Sequence, residues 1–243
     1  LRTYYDIAQK EKFEKRFSNL WIGSRPTQLQ GTFQILFLDF SRVGGLDRTL
    51  AENFDDYCCG GLDDFASIYE PYYYPGFEEE MKAQYGTTNK LNFLDRKARN
   101  NGSKLYLIVD EYDNFTNVVL NEQGDKVYHA LTHASGFYRE IFKKFKGMFE
   151  RIFMTGVSPV TLDDLTSGFN IGWNISTDHQ FNMMLGFSET DVREMIQYYK
   201  DAGQLPGNTN IDAMIEEMRP WYDNYCFAEE SLERDPKMFN CDM

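Results

Sequence analysis

Three short apolar runs stand out along the chain, set among long stretches in which apolar residues are spaced more widely. They are Ile35 to Phe40 (ILFLDF), Leu105 to Val109 (LYLIV) and Arg151 to Val157 (RIFMTGV). Runs of this length, rich in branched and aromatic residues and bounded by turn formers such as Asn100-Asn101-Gly102-Ser103, predict strands buried on both faces. The intervening stretches are long enough for the helical crossovers that parallel strands require. Strands over 35–40, 104–109 and 151–156 are therefore expected as neighbours in one parallel sheet, and the fold class is α/β.

Helix is expected for most of the rest. Tyr4, Ile7, Phe13 and Phe17 space a helix over 3–20, stopped by Gly23 and Pro26. Residues 47–70 predict a crossover helix with Gly60-Gly61 as its weak point, and 127–149 predict another leading into the third strand. The aromatic, turn-rich stretch from Tyr69 to Phe77 is read as rings packing over the edge of the core. A short last strand is expected near Ile171–Ser176. From Ser188 the pattern turns helical again, with Ser188-Glu189-Thr190-Asp191 resembling a capping box. The expected division is a core over 1–187 and a helical unit over 188–243.

The second run ends in the acidic pair Asp110-Glu111. A buried parallel strand ending this way puts two carboxylates at the C-terminal edge of the sheet, where α/β proteins bind ligands. Such a pair suits phosphoryl transfer: the Asp holds Mg²⁺ through its water shell and the Glu orients the attacking water. The plain alternative is a strand that ends in acidic turn residues. Thr155-Gly156-Val157-Ser158, closing the third strand, brings small hydroxyls to the same edge. There a hydroxyl can sense a γ-phosphate or simply satisfy a turn.

Five stretches then carry a resemblance: LWIGSRPTQLQGTFQILFLDFS (20–41), KLYLIVDEYDNF (104–115), RIFMTGVSPVTLDDLTSGFNI (151–171), LGFSETDV (185–192) and WYDNYCF (221–227). In content, order and spacing the chain resembles the bacterial AAA-ATPase-like family, whose members often carry a C-terminal PD-(D/E)XK-type nuclease domain. The resemblance implies a P-loop NTPase core with a three-layer parallel sheet, followed by a helical lid over 188–243. It also implies ATP and Mg²⁺ as cofactors, Asp110 as the metal residue, and Glu111 and Thr155 as the catalytic water-orienting and sensor residues. One departure matters. No G-x-x-x-x-G-K-[ST] occurs in the chain: Gly23-Ser24-Arg25 and Gly44-Gly45 lack the Lys-Ser/Thr ending, and Gly60-Gly61 leads into acidic residues. In the family the first strand and the phosphate loop lie just upstream of the segment matching Leu1 to Asp6. The chain is therefore expected to lack the nucleotide cradle, with the cofactor-binding residues unidentified. Phe239 to Met243 stops inside a family motif, so a nuclease domain in cis would lie beyond Met243. The expected function is an Mg²⁺-dependent ATP-binding and ATP-hydrolysing module that is incompetent without the loop. The alternative is a non-hydrolysing regulatory or scaffold module on the same fold.

Composition narrows the partners. Lysine and arginine number 25 against 38 aspartates and glutamates, a formal charge of −13, and so acidic a surface argues against direct nucleic-acid binding. No stretch approaches the about 20 apolar residues that cross a membrane. Cys58, Cys59, Cys226 and Cys241 form no C-x-x-C pair and read as reduced thiols, so a cytoplasmic location is expected. His129 and His133 share a helical face at a spacing that suits zinc, but without an HExxH glutamate they read as a surface or core pair. Arg139, Lys143, Lys144, Lys146 and Arg151 read as a solvated basic face. Trp221 to Phe227 reads as an aromatic anchor of the lid. Arg42, Arg193 and Arg219 are all conceivable γ-phosphate contacts, and the sequence does not choose among them.

Overall fold

A computed structural model describes residues 1–43, 49–114, 136–157, 173–223 and 225–241. Contacts divide the chain into two compact units, Leu1–Ile171 and Gly172–Met243, whereas the sequence pattern places the boundary at 187/188.

The three apolar runs of the first unit form β1 (Gln34–Asp39), β2 (Leu105–Asp110) and β3 (Arg151–Met154), parallel and in the order β1-β2-β3. Their register pairs Gln34 with Leu105, Asp39 with Asp110, and Val109 with Met154. Strand periodicity then sorts the side chains into two faces. Leu36, Leu38, Leu105, Leu107 and Val109 join the main core. Ile35, Tyr106 and Ile108 face a smaller cluster with Phe33, against which Tyr5 and Leu29 pack.

The main core is closed by three amphipathic helices: α3 (Leu50–Tyr69), α5 (Gly86–Asn101) and α6 (Phe137–Met148). Phe54, Leu62, Phe65, Leu91, Leu94, Phe142 and Phe145 recur at helical spacing and are buried, each stabilising the fold by roughly 1.5–3 kcal/mol. Thr49 and Glu52 start α3 with a reciprocal capping box. Gly60-Gly61 does not break α3. An added Cβ at Gly61 would sit 2.7 Å from Leu38 Cδ2, so the helix approaches the sheet closely there.

The expected helix over 3–20 is instead three pieces: α1 (Arg2–Tyr5), a 3₁₀ turn (Ile7–Lys12) and α2 (Phe13–Phe17). Asp6 is the cause. Its carboxylate accepts from Ala8 N and from the Tyr69 hydroxyl, both at 2.8 Å, and its backbone pairs with Phe33 beside β1. Around the short α4 (Phe77–Lys82), Tyr72, Tyr73 and Tyr74 pack against the main core, as the aromatic stretch led one to expect.

In the second unit, α7 (Glu189–Asp201) and α8 (Ile211–Tyr222) pack through Val192, Ile196, Ile215 and Phe239. The Ser188–Asp191 capping box is present, and hydrogen bonds from Ser188 hold the Asp191 carboxyl below its ordinary range. Residues 173–176 are not a strand, contrary to expectation, and 171–172 lie outside the described residues.

Candidate active site at the sheet edge

The strands deliver Asp39 and Asp110 to the same C-terminal edge, as register partners on neighbouring strands. Just past β3 comes Thr155, whose N–H donates to Val109 O (2.9 Å) and whose hydroxyl donates to Asp110 Oδ1. Asp110 Oδ1 also accepts from Glu111 N at 3.1 Å. Both bonds end on Oδ1, which leaves Oδ2 to take a cation or its water shell.

Glu111 has φ of 48°, the left-handed region, and is the one non-glycine residue in it among the described residues. Such a conformation costs on the order of 1–3 kcal/mol and persists where surrounding bonds enforce it. Here they do. Asn114 N donates to Glu111 O (3.0 Å), and Asn114 Nδ2 donates to Glu111 Oε2 (2.8 Å). Tyr112 N donates to Thr155 O at 3.0 Å, and the buried Tyr138 hydroxyl donates to Tyr112 O. The sharp turn leaves the Glu111 side chain exposed beside Asp110, while Tyr112 and Asp113 turn inward.

Asp113 is 1% exposed, and both its oxygens accept from Val157 N, at 3.1 and 3.2 Å. It ties the turn after β2 to the segment after β3 and so sets where Thr155 stands. Gly156 makes room for that tie. A Cβ there would lie 2.5 Å from both Asp113 Oδ1 and Tyr112 Cε1. Neither residue is singled out by the sequence pattern, although an acid three places past Asp110 and a glycine after Thr155 are the available signals.

Asp39 sits differently. It accepts from Ser41 N (3.1 Å) and Ser41 Oγ (2.6 Å), and Arg42 Nε lies 3.0 Å from its Oδ2. Arg42 is thus held at the same edge as Asp110. The other two arginines belong to the second unit and are bound by carboxylates. Arg193 contacts Glu189 (2.8 Å) and Asp212 (2.6 Å), while Arg219 contacts Glu189, Glu216 and Asp223 at 2.6, 2.8 and 2.5 Å. Lys143 and Lys146 are positioned on α6, and Lys144 reaches Asn92 at 3.1 Å. His129, His133, Ser158 and Gly44-Gly45 lie outside the described residues. Cys58 is buried, which pushes its thiol well up and leaves it protonated.

No group of three or more His, Cys, Asp or Glu able to cage a cation occurs among the described residues. A lone carboxylate such as Asp110 would suit Mg²⁺, which keeps most of its waters and uses one or two carboxylates together with substrate phosphates. No described helix is long and apolar enough to cross a membrane.

The family described as "Predicted AAA-ATPase" matches residues 1–166 of the chain. A protein of Azotobacter chroococcum mcd 1, described as "Uncharacterized protein in vnfD 5'region", is 27% identical over 133 residues, covering 54% of this chain and 23% of that protein. No solved structure gives a significant match.

Proposed function

The chain belongs to the AAA-ATPase-like family, and from that premise we propose that its sheet edge is the hydrolytic edge of an Mg²⁺-dependent ATPase. The observation that carries this is the convergence of Asp110, Glu111 and Thr155 on one corner, with Glu111 held in a left-handed turn that exposes its carboxylate. Asp110 would hold the hydrated Mg²⁺, which when bound neutralises charge on the phosphates. Thr155, by donating to Asp110 Oδ1, fixes the carboxylate's rotation. That makes it an orienting residue first and a phosphate sensor only if its hydroxyl turns away. Glu111 orients the attacking water and accepts its proton. Asn114, bonded to Glu111 Oε2, positions that carboxylate. In this reading residues 188–243 are the lid.

The test is a substitution in protein that includes a phosphate-binding loop. Glu111→Gln is expected to bind nucleotide normally while phosphate release falls by about two or more orders of magnitude, the scale of losing a positioned general base. Unchanged turnover in well-folded Glu111→Gln protein would remove Glu111 from catalysis.

The second reading, a non-hydrolysing regulatory or scaffold module on the same fold, is decided by the residues upstream of Leu1: a strand followed by G-x-x-x-x-G-K-[ST] there supports hydrolysis, and a full protein without one supports the module. The 243-residue chain by itself is expected to bind Mg-ATP weakly or not at all, because the directed phosphate contacts come from that loop. Micromolar affinity by calorimetric titration would mean that another loop cradles the phosphates.

A further inference from the structure

In the second unit the contact between α7 and α8 stops short of the surface. Above the buried Val192 and Ile196 the two helices leave a groove of about 290 Å³, walled by Met195, Tyr199 and Leu205 on one side and Met214 and Met218 on the other. The apolar stripe runs on beyond it. Trp221 comes three positions after Met218 on α8 and is 77% exposed. Two rows of apolar side chains at i, i+3 and i+4 spacing, flanking a trough, are the complement of one apolar helix face. Methionine suits such a wall, because its unbranched thioether adapts to the side chain that enters.

Charge identifies the occupant. Residues 172–243 hold fourteen aspartates and glutamates against five lysines and arginines, so this unit carries −9 of the chain's −13. The cations on the two helices are already engaged: Arg193 and Arg219 by carboxylates, and Lys200 by Thr209 O at 3.0 Å. Glu194, Asp201 and Glu217 are exposed on the same helices, and Glu217 comes one residue before Met218. A second copy of the chain would bring its own −9 against this one, and an anionic lipid surface would be repelled.

We propose that the α7–α8 groove docks a basic amphipathic helix of a partner protein, its apolar side chains seated among the methionines and its lysines or arginines drawn by the net negative charge of the unit. The groove lies within the second unit and does not depend on the chemistry of the sheet edge. As probe we name a fluorescent peptide of about 18 residues, five helical turns, built from leucine and lysine in an amphipathic pattern and titrated into the full chain. A leucine–glutamate peptide of the same pattern is the control. The Leu–Lys peptide should bind and shift the NMR methyl signals of Met195, Met214 and Met218. Met214→Gln with Met218→Gln should weaken it by about tenfold or more, as loss of central apolar anchors does. Should that double variant fail to fold, Glu217→Lys decides, since it changes only an exposed charge and should weaken binding in a salt-dependent manner. Equal binding of the Leu–Glu peptide, methyl shifts confined to other methionines, or undiminished binding in the folded variants would each overturn the proposal. So would methyl shifts at the groove that track protein concentration alone, which would give the face to a second copy.

Discussion

β1 and β2 lie side by side and end in the same residue at the same register, yet the two aspartates are in different chemical states. Asp39, on the edge strand, is matched by the Arg42 guanidinium at 3.0 Å and by both donors of Ser41. Asp110, on the central strand, receives a hydroxyl and a backbone N–H, both neutral. A carboxylate already paired with a guanidinium has little attraction left for a cation, whereas neutral donors orient a carboxylate and leave its charge intact. Position in the sheet therefore does not decide which carboxylate is matched by a cation. The residues just past each strand decide it: Ser41-Arg42 after β1, and a left-handed glutamate and Thr155 around β2.

The largest expected effect tests that contrast directly. In protein with a phosphate-binding loop, Asp110→Asn should lower turnover by about two orders of magnitude or more and weaken the Mg²⁺ dependence of nucleotide binding. Asp39→Asn should leave turnover within a few-fold and cost at most about 1 kcal/mol of stability, because its ion pair is largely solvent-exposed on the arginine side. Phosphate-release kinetics and melting of both variants check this. Equal losses of turnover would mean that the two carboxylates act together and that Arg42 is a catalytic cation rather than a counter-ion to Asp39.

The range of each interaction sets how much of this is legible in the sequence. The strands are legible because a buried strand writes itself as a contiguous apolar run: the run over 35–40 becomes Gln34–Asp39, and the run over 104–109 becomes Leu105–Asp110. The third ends early, at Met154, as the chain turns through Thr155 and Gly156 to meet Asp113. Asp110, Glu111 and Thr155 can be named because each comes at the end of a legible strand. Asp113 cannot, since its role depends on Val157, 44 residues away in the chain. The single helix expected over 3–20 fails for a similar reason. Its apolar spacing is real, but Asp6 is drawn into a buried bond with Tyr69, 63 positions on, and that bond breaks the helix. Gly60-Gly61 misleads in the opposite direction: helix propensity disfavours the pair, and packing against Leu38 keeps the helix whole.

Next in size are the tyrosines that hold the side of β1 turned away from β2. Tyr69 accepts from Ile35 N at 2.9 Å while donating to Asp6, and Tyr57 accepts from Asp39 N at 2.8 Å. These are the same bond at two depths. Tyr69 is buried, and desolvation pushes its hydroxyl well above the ordinary phenol range, so it stays a donor to Asp6 at any working pH. Tyr69→Phe would leave a buried N–H and a buried carboxylate short of a partner, at a cost of about 1–3 kcal/mol in denaturant titration. Tyr57 is half-buried, and water can replace its hydroxyl, so Tyr57→Phe should cost less than about 1 kcal/mol. Equal costs would show that this side of β1 is equally dry along its length.

The smallest effects come from the two glycines of α3, and they should differ in sign. Replacing glycine by alanine inside a helix gains about 0.5–1 kcal/mol, because the unfolded chain has less freedom to lose on folding. At Gly60 nothing lies within 4 Å of the added Cβ, so Gly60→Ala should realise that gain and raise the melting temperature. At Gly61 the Cβ would lie 2.7 Å from Leu38 Cδ2, and Leu38 is 1% exposed, so its methyl has no open space to move into. Overpacking of this kind costs about 1–3 kcal/mol. Gly61→Ala should therefore be destabilising by about 1 kcal/mol once the helix gain is subtracted. Because Leu38 is next to Asp39, the displacement should act on the edge strand and leave Asp110 and the central strand in place. Stabilisation by both alanines would mean that Leu38 can repack, and that α3 sits less tightly on β1 than its glycine contact implies.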